Sequence, residues 1–309
     1  MEKMIYENRF FIQFFFVLIV LFSSRGLAAS PSVVVSIKPL QSLVAAVMDG
    51  IDTPALIVQG EGGSEHGYNL RPSDAENIAN ADIIFFVSPE MENFLVRPMK
   101  NLAFKAEVID LAYAPGVRLF DMRTGDFLQN DSNDKEYNHK DLHFWLDPRN
   151  AEAAVRFIAN VLGKRDPVNA LRYSENARKY EQRLEDLIQE VSKDLRPFRS
   201  RHFIVFHDGY QYFEKRFHVF SYGSITNNPE ESPSVTRISR IHEKVKELGS
   251  VCVFLEPQFE PRVIKSVIEG TQARTGVLDP LGGDILSGPD QYLSLIHKIA
   301  NSLKRCLSY

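Results

Sequence analysis

Residues 173–195 read YSENARKYEQRLEDLIQEVSKDL. Apolar side chains recur at Tyr173, Ala177, Tyr180, Leu184, Leu187, Ile188, Val191 and Leu195. Steps of three and four residues mark a helix that buries one stripe. Asp166-Pro167 supplies the start, with proline at the first helical position behind a capping aspartate. A helix over 167–195 would be about 43 Å long, enough to run the length of a two-lobed molecule. Its flanks decide what it joins. Before it, strands are expected at 33–37, 54–58, 83–87 and 107–111, with helices at 41–48, 72–80, 89–102 and 150–162. After it, strands are expected at 203–206, 218–222, 251–255 and 275–278, with helices at 210–216, 237–248, 262–272 and 291–307. Strands alternating with helices argue mainly parallel sheets covered on both faces.

The expected fold is therefore α/β: two Rossmann-like lobes with mainly parallel sheets, joined by one long α-helix. Residues 30–165 form the N-terminal lobe, 166–198 the linking helix and 199–309 the C-terminal lobe. Residues 113–142 break the rhythm and read as an exposed, charged loop. A short strand-like piece over 143–146 follows, stopped by Asp147-Pro148.

The chain has 309 residues, 44 % hydrophobic and 25 % charged, with a formal net charge of −4. That is ordinary for a globular protein of about two domains. It lacks the basic surplus of a nucleic-acid binder, so no nucleic-acid partner is expected. Two cysteines exclude a disulfide-rich scaffold and a four-cysteine zinc site. Residues 1–29 read as an address. Lys3 and Arg9 precede an apolar run over 10–22, and Ser-Ser-Arg-Gly-Leu-Ala-Ala follows it. The run is shorter than the roughly 20 residues that span a bilayer. It has the proportions of a secretory signal, cleaved after Ala28 or Ala29. In an oxidising compartment the even pair Cys252 and Cys306 is expected to form one disulfide, tying the last helix to a core strand.

Three of the eight histidines sit where ligands bind. His66 lies in a glycine-rich loop just past a strand, and His207 at the carboxyl end of another. His143 stands where the charged loop re-enters regular structure. Ligands of open α/β sheets bind beyond the carboxyl ends of the strands. His242 and His297 read as solvated helix residues, and His202 and His218 as the openings of strands. Three imidazoles with one oxygen donor suit a tetrahedral, borderline ion such as zinc. The oxygen can come from Glu65, from Asp279 or from water. Asp208 can hold a ring N–H or cap the helix that follows. Two enzyme readings compete. Ser64, His207 and Asp208 could be named a triad, although no Gly-x-Ser-x-Gly elbow is present. A zinc hydrolase would keep its fourth ligand position open.

Seven ordered motifs narrow the choice. They are Ser36-Ile37-Lys38-Pro39-Leu40, the stretch Ser64-Glu65-His66-Gly67-Tyr68-Asn69-Leu70-Arg71-Pro72-Ser73-Asp74, and Val87-Ser88-Pro89-Glu90-Met91-Glu92. His143-Phe144-Trp145-Leu146-Asp147-Pro148 and Phe206-His207-Asp208-Gly209-Tyr210-Gln211-Tyr212-Phe213-Glu214 follow. Glu256-Pro257-Gln258-Phe259 and Asp279-Pro280-Leu281-Gly282 complete the set. From about residue 33 onward the chain resembles the periplasmic zinc-binding solute-binding proteins of high-affinity zinc ABC importers, the metal-binding cluster A-I or cluster 9 family. The resemblance implies that Zn2+ is cargo held between the lobes, with His66, His143 and His207 as ligands and Glu65 as a more variable fourth. It implies delivery to an inner-membrane zinc permease served by an ATPase subunit. It also implies a periplasmic monomer, a disulfide between Cys252 and Cys306, and no enzymatic activity. Related manganese-type proteins, often viewed as adhesins, usually carry a carboxylate where His207 stands, which favours zinc here. Many zinc members have a long histidine-rich loop before the second ligand; here 113–142 holds only His139.

Overall fold

The computed structural model describes residues 30–59, 63–123, 139–226, 229, 232–259 and 262–308. The expected signal over 1–29 lies outside the described residues. Strands β1 (Val33–Ile37), β2 (Ala55–Val58), β3 (Ile83–Phe86) and β4 (Glu107–Asp110) form one parallel sheet in the order β2-β1-β3-β4. Strands β7 (Phe203–His207), β8 (Ser221–Thr226), β9 (Cys252–Leu255) and β10 (Arg274–Val277) form a second, ordered β10-β9-β7-β8. Counted from the first strand of each, the two orders are the same. Each sheet changes winding direction between its first and third strands, where such folds make their ligand crevices. A two-residue antiparallel ladder, β5 (Phe120–Asp121) with β6 (Lys140–Asp141), stands apart.

The first-half helices are α1 (Lys38–Val47), α2 (Pro72–Asn80), α3 (Asn93–Leu102) and α4 (Pro148–Arg165). The long helix is α5 (Ala170–Leu195), 26 residues or about 39 Å. All eight apolar positions of its stripe are buried. Asn176 shares that face because its amide donates to the carbonyls of Val47 (3.0 Å) and Asp49 (2.9 Å), fastening α5 to the end of α1. The second-half helices are α6 (Gln211–Phe217), α7 (Val235–Leu248), α8 (Arg262–Ile268) and α9 (Gln291–Leu307). Among the described residues no helix is long and apolar enough to cross a membrane.

Alternation along the strands of the second sheet divides its core. Phe203, Val205, Cys252 and Phe254 face a large cluster shared with the first sheet, α4, α5 and α9. Ile204, Phe206 and Val253 face the other way, into a smaller cluster with Ile241 and Val245 of α7 and Ile264 and Val267 of α8. Cys252 and Cys306 form the expected disulfide, with Cα atoms 6.0 Å apart, joining β9 to α9.

Several element boundaries differ from expectation. Residues 143–146 make no strand: Phe144–Leu146 is a 3-10 turn, because Asp147 caps α4 by accepting from the Arg149 amide at 2.9 Å and Pro148 opens that helix. The strand expected at 218–222 begins at Ser221. His218 instead takes the left-handed conformation (φ 58°) that ends α6. The helix expected from 89 starts at Asn93, since the Ser88 hydroxyl accepts from the amides of Glu90 and Met91 and turns the chain. The loop 113–142 is not exposed throughout: Asp141 is buried and the two ends pair as β5 and β6.

Candidate metal centre

Three segments converge on one point. The first is the loop after β2. There the Ser64 hydroxyl accepts from the amides of His66 (3.2 Å) and Gly67 (3.1 Å), folding the chain so that Glu65 and His66 both turn inward. Asp74 holds the exit of this loop, accepting from the Arg71 amide at 2.8 Å and the Tyr68 hydroxyl at 3.1 Å. The second is the turn after β6, which brings in His143. The third is β7, whose last residue is His207. One donor atom from each of Glu65, His66, His143 and His207 lies within 4.8 Å of all the others. The expected three histidines and Glu65 are therefore brought together.

The distances suit a small cation. His143 Nε2 and His207 Nε2 are 3.1 Å apart. Glu65 Oε1 is 3.6 Å from His143 Nε2, 3.9 Å from His66 Nε2 and 4.0 Å from His207 Nε2. Tetrahedral zinc with bonds near 2.0–2.1 Å separates its donors by roughly 3.3 Å, so the two close rings would part slightly and the other donors would draw in to complete the shell. Glu65 Oε1 and His66 Nε2 are buried without a hydrogen-bond partner. Buried polar atoms are normally satisfied, and a cation between them would satisfy both.

Two carboxylates aim the rings. Asp141 Oδ1 lies 2.8 Å from His143 Nδ1 and also accepts from the His143 amide at 3.0 Å. Glu256, just beyond β9, lies 2.7 Å from His207 Nδ1 across the winding switch of the second sheet. Hydrogens held on both Nδ1 atoms leave both Nε2 atoms for the ion, and the carboxylates make the rings better donors. Sequence reasoning gave neither residue this role. The available signals were an aspartate two places before His143 and a glutamate directly past a strand end.

Charge follows burial and neighbours. Burial alone would raise the Glu65 carboxyl, but the His143 ring beside it and the fields of His66 and His207 bring it down to about 2. Burial pushes the His66 imidazole down to about 3, against the pull of Glu65. Burial also opposes a charge on His143, yet the hydrogen bond to Asp141 and the negative charges of Asp141 and Glu65 raise it to about 10. The metal-free centre thus holds an ionised carboxylate, a neutral His66 and a proton on His143.

The other candidates lie elsewhere. Asp279 is engaged in its own turn, accepting from Gln258 Nε2 (2.8 Å), the Leu281 amide (2.9 Å) and the Gly283 amide (2.7 Å), outside the ligand group. Asp208 neither holds a histidine ring nor caps α6. It pairs with Arg123 from the charged loop, which also donates to Glu214 at 2.6 Å. No Ser64-His207-Asp208 triad assembles, because His207 Nδ1 faces Glu256 and Ser64 serves backbone amides.

The chain is similar to known proteins along nearly its whole length. The family model described as zinc-uptake complex component A, periplasmic, matches residues 33–306. The chain is 47 % identical over 306 residues to the high-affinity zinc uptake system protein ZnuA of Brucella suis, covering 89 % of this chain and 91 % of that protein. A crystal structure of ZnuA shares the fold, with TM-score 0.73 and 24 % identity over 88 % of this chain and 99 % of that one. A mutant structure of the laminin-binding adhesin Lmb of Streptococcus agalactiae has TM-score 0.74 and 26 % identity, over 90 % of this chain and 99 % of that one. From the span of the family match and the identity to the Brucella protein, the chain belongs to the periplasmic zinc-uptake component A family, whose members are solute-binding transport components and not enzymes.

Proposed function

We propose that the protein captures one Zn2+ through Glu65 Oε1 and the Nε2 atoms of His66, His143 and His207, and hands it to a membrane permease. The observation that carries this is the convergence of three imidazoles and a carboxylate within 4.8 Å, the rings of His143 and His207 held by Asp141 and Glu256. Three nitrogens and one oxygen in a compact, four-donor set match the preference of zinc over ions that favour six oxygens. Glu65 as a fourth protein ligand distinguishes carriage from catalysis, since a hydrolytic zinc keeps a position for water.

The ligands come from both sides of the long helix. On this reading residues 30–165 and 199–309 are the two metal-binding lobes, with 166–198 between them. The address at 1–29 sends the chain to the periplasm and is removed there. The mature protein works as a monomer, and its partners are an inner-membrane zinc permease and the ATPase that drives it. Cys252–Cys306 braces the C-terminal lobe in that oxidising space.

The test is a competition titration of metal-stripped protein with zinc against a chelating dye. One tight site per chain is expected, and His207→Ala should weaken it by more than about a hundredfold. Unchanged affinity in His207→Ala would remove that ring from the centre. No tight uptake by the unaltered protein would refute the function.

A further inference from the structure

The four ligands are not equally enclosed. The side chains of Glu65, His143 and His207 are 2–7 % exposed, whereas that of His66 is 21 % exposed. His66 and His143 both line a cavity of about 330 Å³. Met91 and Met122 line it, and Glu90 and His139 stand on it exposed to solvent. Most charges along this cavity are already matched. Asp141 holds His143, Asp208 is bound by Arg123, and Lys140 pairs with Asp121 at 2.5 Å.

Glu90 differs. Among the described residues its carboxylate enters no ion pair. Its position is fixed by its own amide, which donates to the Ser88 hydroxyl at 3.2 Å in the turn before α3. An unneutralised carboxylate lining a cavity that holds a partly open ligand is the arrangement that concentrates cations locally.

We propose that this cavity is the ion's route to its ligands, and that Glu90 is the encounter group that draws the hydrated cation towards His66. The proposal rests on the zinc-capture reading above. Glu90 governs how fast the ion arrives and takes no place in the final shell. A unit charge acting on a divalent ion through water at about 8 Å changes its local concentration by about fivefold. Salt should erase the effect, since screening lengths shrink to about 3 Å at 1 M.

Trp145, the single tryptophan, has its ring 5.3 Å from that of His143 and reports arrival of the ion. Metal-stripped full protein would be mixed with Zn2+ in a stopped-flow instrument at low and high salt. Dissociation would be followed by capture with excess chelator. Glu90→Gln should slow association about fivefold at low salt, leave dissociation unchanged and match the unaltered protein at high salt. Glu90→Lys should slow it further. Glu243→Gln, which alters an exposed carboxylate on α7, should change neither rate. An unchanged association rate in Glu90→Gln would overturn the proposal, and so would a change confined to dissociation. Failure of the unaltered protein to take up zinc would overturn the capture reading itself, a result distinct from either.

Discussion

Loading the centre should expel a proton. His143 Nδ1 and His207 Nδ1 face carboxylates at 2.8 and 2.7 Å, so both carry hydrogen. Their Nε2 atoms meet at 3.1 Å, a contact that needs one more hydrogen between them. A proton held on His143 Nε2 sits where the ion must go. This geometry agrees with a His143 imidazole raised to about 10. His66, lowered to about 3, and Glu65, lowered to about 2, have already lost their protons near neutrality. The sign follows directly. A raised imidazole keeps its proton until the pH approaches 10, protons compete with zinc below that, and binding strengthens as pH rises. Between pH 7.5 and 9 the affinity should climb about tenfold per unit, or about 1.4 kcal/mol. Calorimetry in buffers of different ionisation enthalpy counts the released protons, and about one per zinc is expected at pH 8. Asp141→Asn removes the charge that holds this proton, so release at pH 8 should fall and the pH dependence should move to lower pH. A flat affinity between pH 7.5 and 9, or no proton release from the unaltered protein, would refute the reasoning.

Glu256→Gln keeps a hydrogen-bonding group beside His207 but loses the charge, and should weaken zinc about 10- to 100-fold in the dye competition without lowering helix content. Cys252→Ser opens a bridge between residues 54 apart and should cost about 4 kcal/mol in denaturant unfolding while zinc affinity stays within about threefold. Reductant should reproduce that loss in the unaltered protein. Solution scattering should show nearly the same radius of gyration with and without zinc; a marked compaction would contradict the cross-links between the two halves.

Local signals in the sequence carried much of the fold. The stripe from Tyr173 to Leu195 was readable because a buried helical face imposes one period and nothing else competes with it. Pro72 and Asn80 bound α2 as expected, because a proline start fixes the first turn. His218 misled the reading: Val219 and Phe220 look like strand, but a left-handed cap consumes the residue before them and delays the strand to Ser221. At the centre, strand ends marked His66 and His207 as candidates. Asp208 was tied to His207 by adjacency, yet neighbours along an extended chain project to opposite sides, and Asp208 turns to Arg123. The residues that do hold the rings were illegible for a related reason. Glu256 is 49 positions from His207 and reaches it only because β9 lies beside β7.

The cross-links explain why access must be local. Lys38 Nζ donates to the carbonyls of Gly283 and Ile285 at 2.5 and 2.9 Å. Trp145 Nε1 donates to the Pro280 carbonyl at 3.0 Å, and the Tyr292 hydroxyl donates to the Trp145 carbonyl at 2.6 Å. Arg216 grips Asp147 through two bonds of 2.6 and 2.8 Å. Each joins the first half of the chain to the second, and most are buried or half-buried. Hinge opening wide enough to bare His143 and His207 would break several together and leave their partners unsatisfied, at about 1–3 kcal/mol each. Moving His66 requires none of these breaks. Its loop is held by Ser64 and Asp74 on its own side, and its ring already borders solvent. Exchange of the ion is therefore cheapest by way of His66, with His143, His207 and their carboxylates as the fixed wall against which it binds.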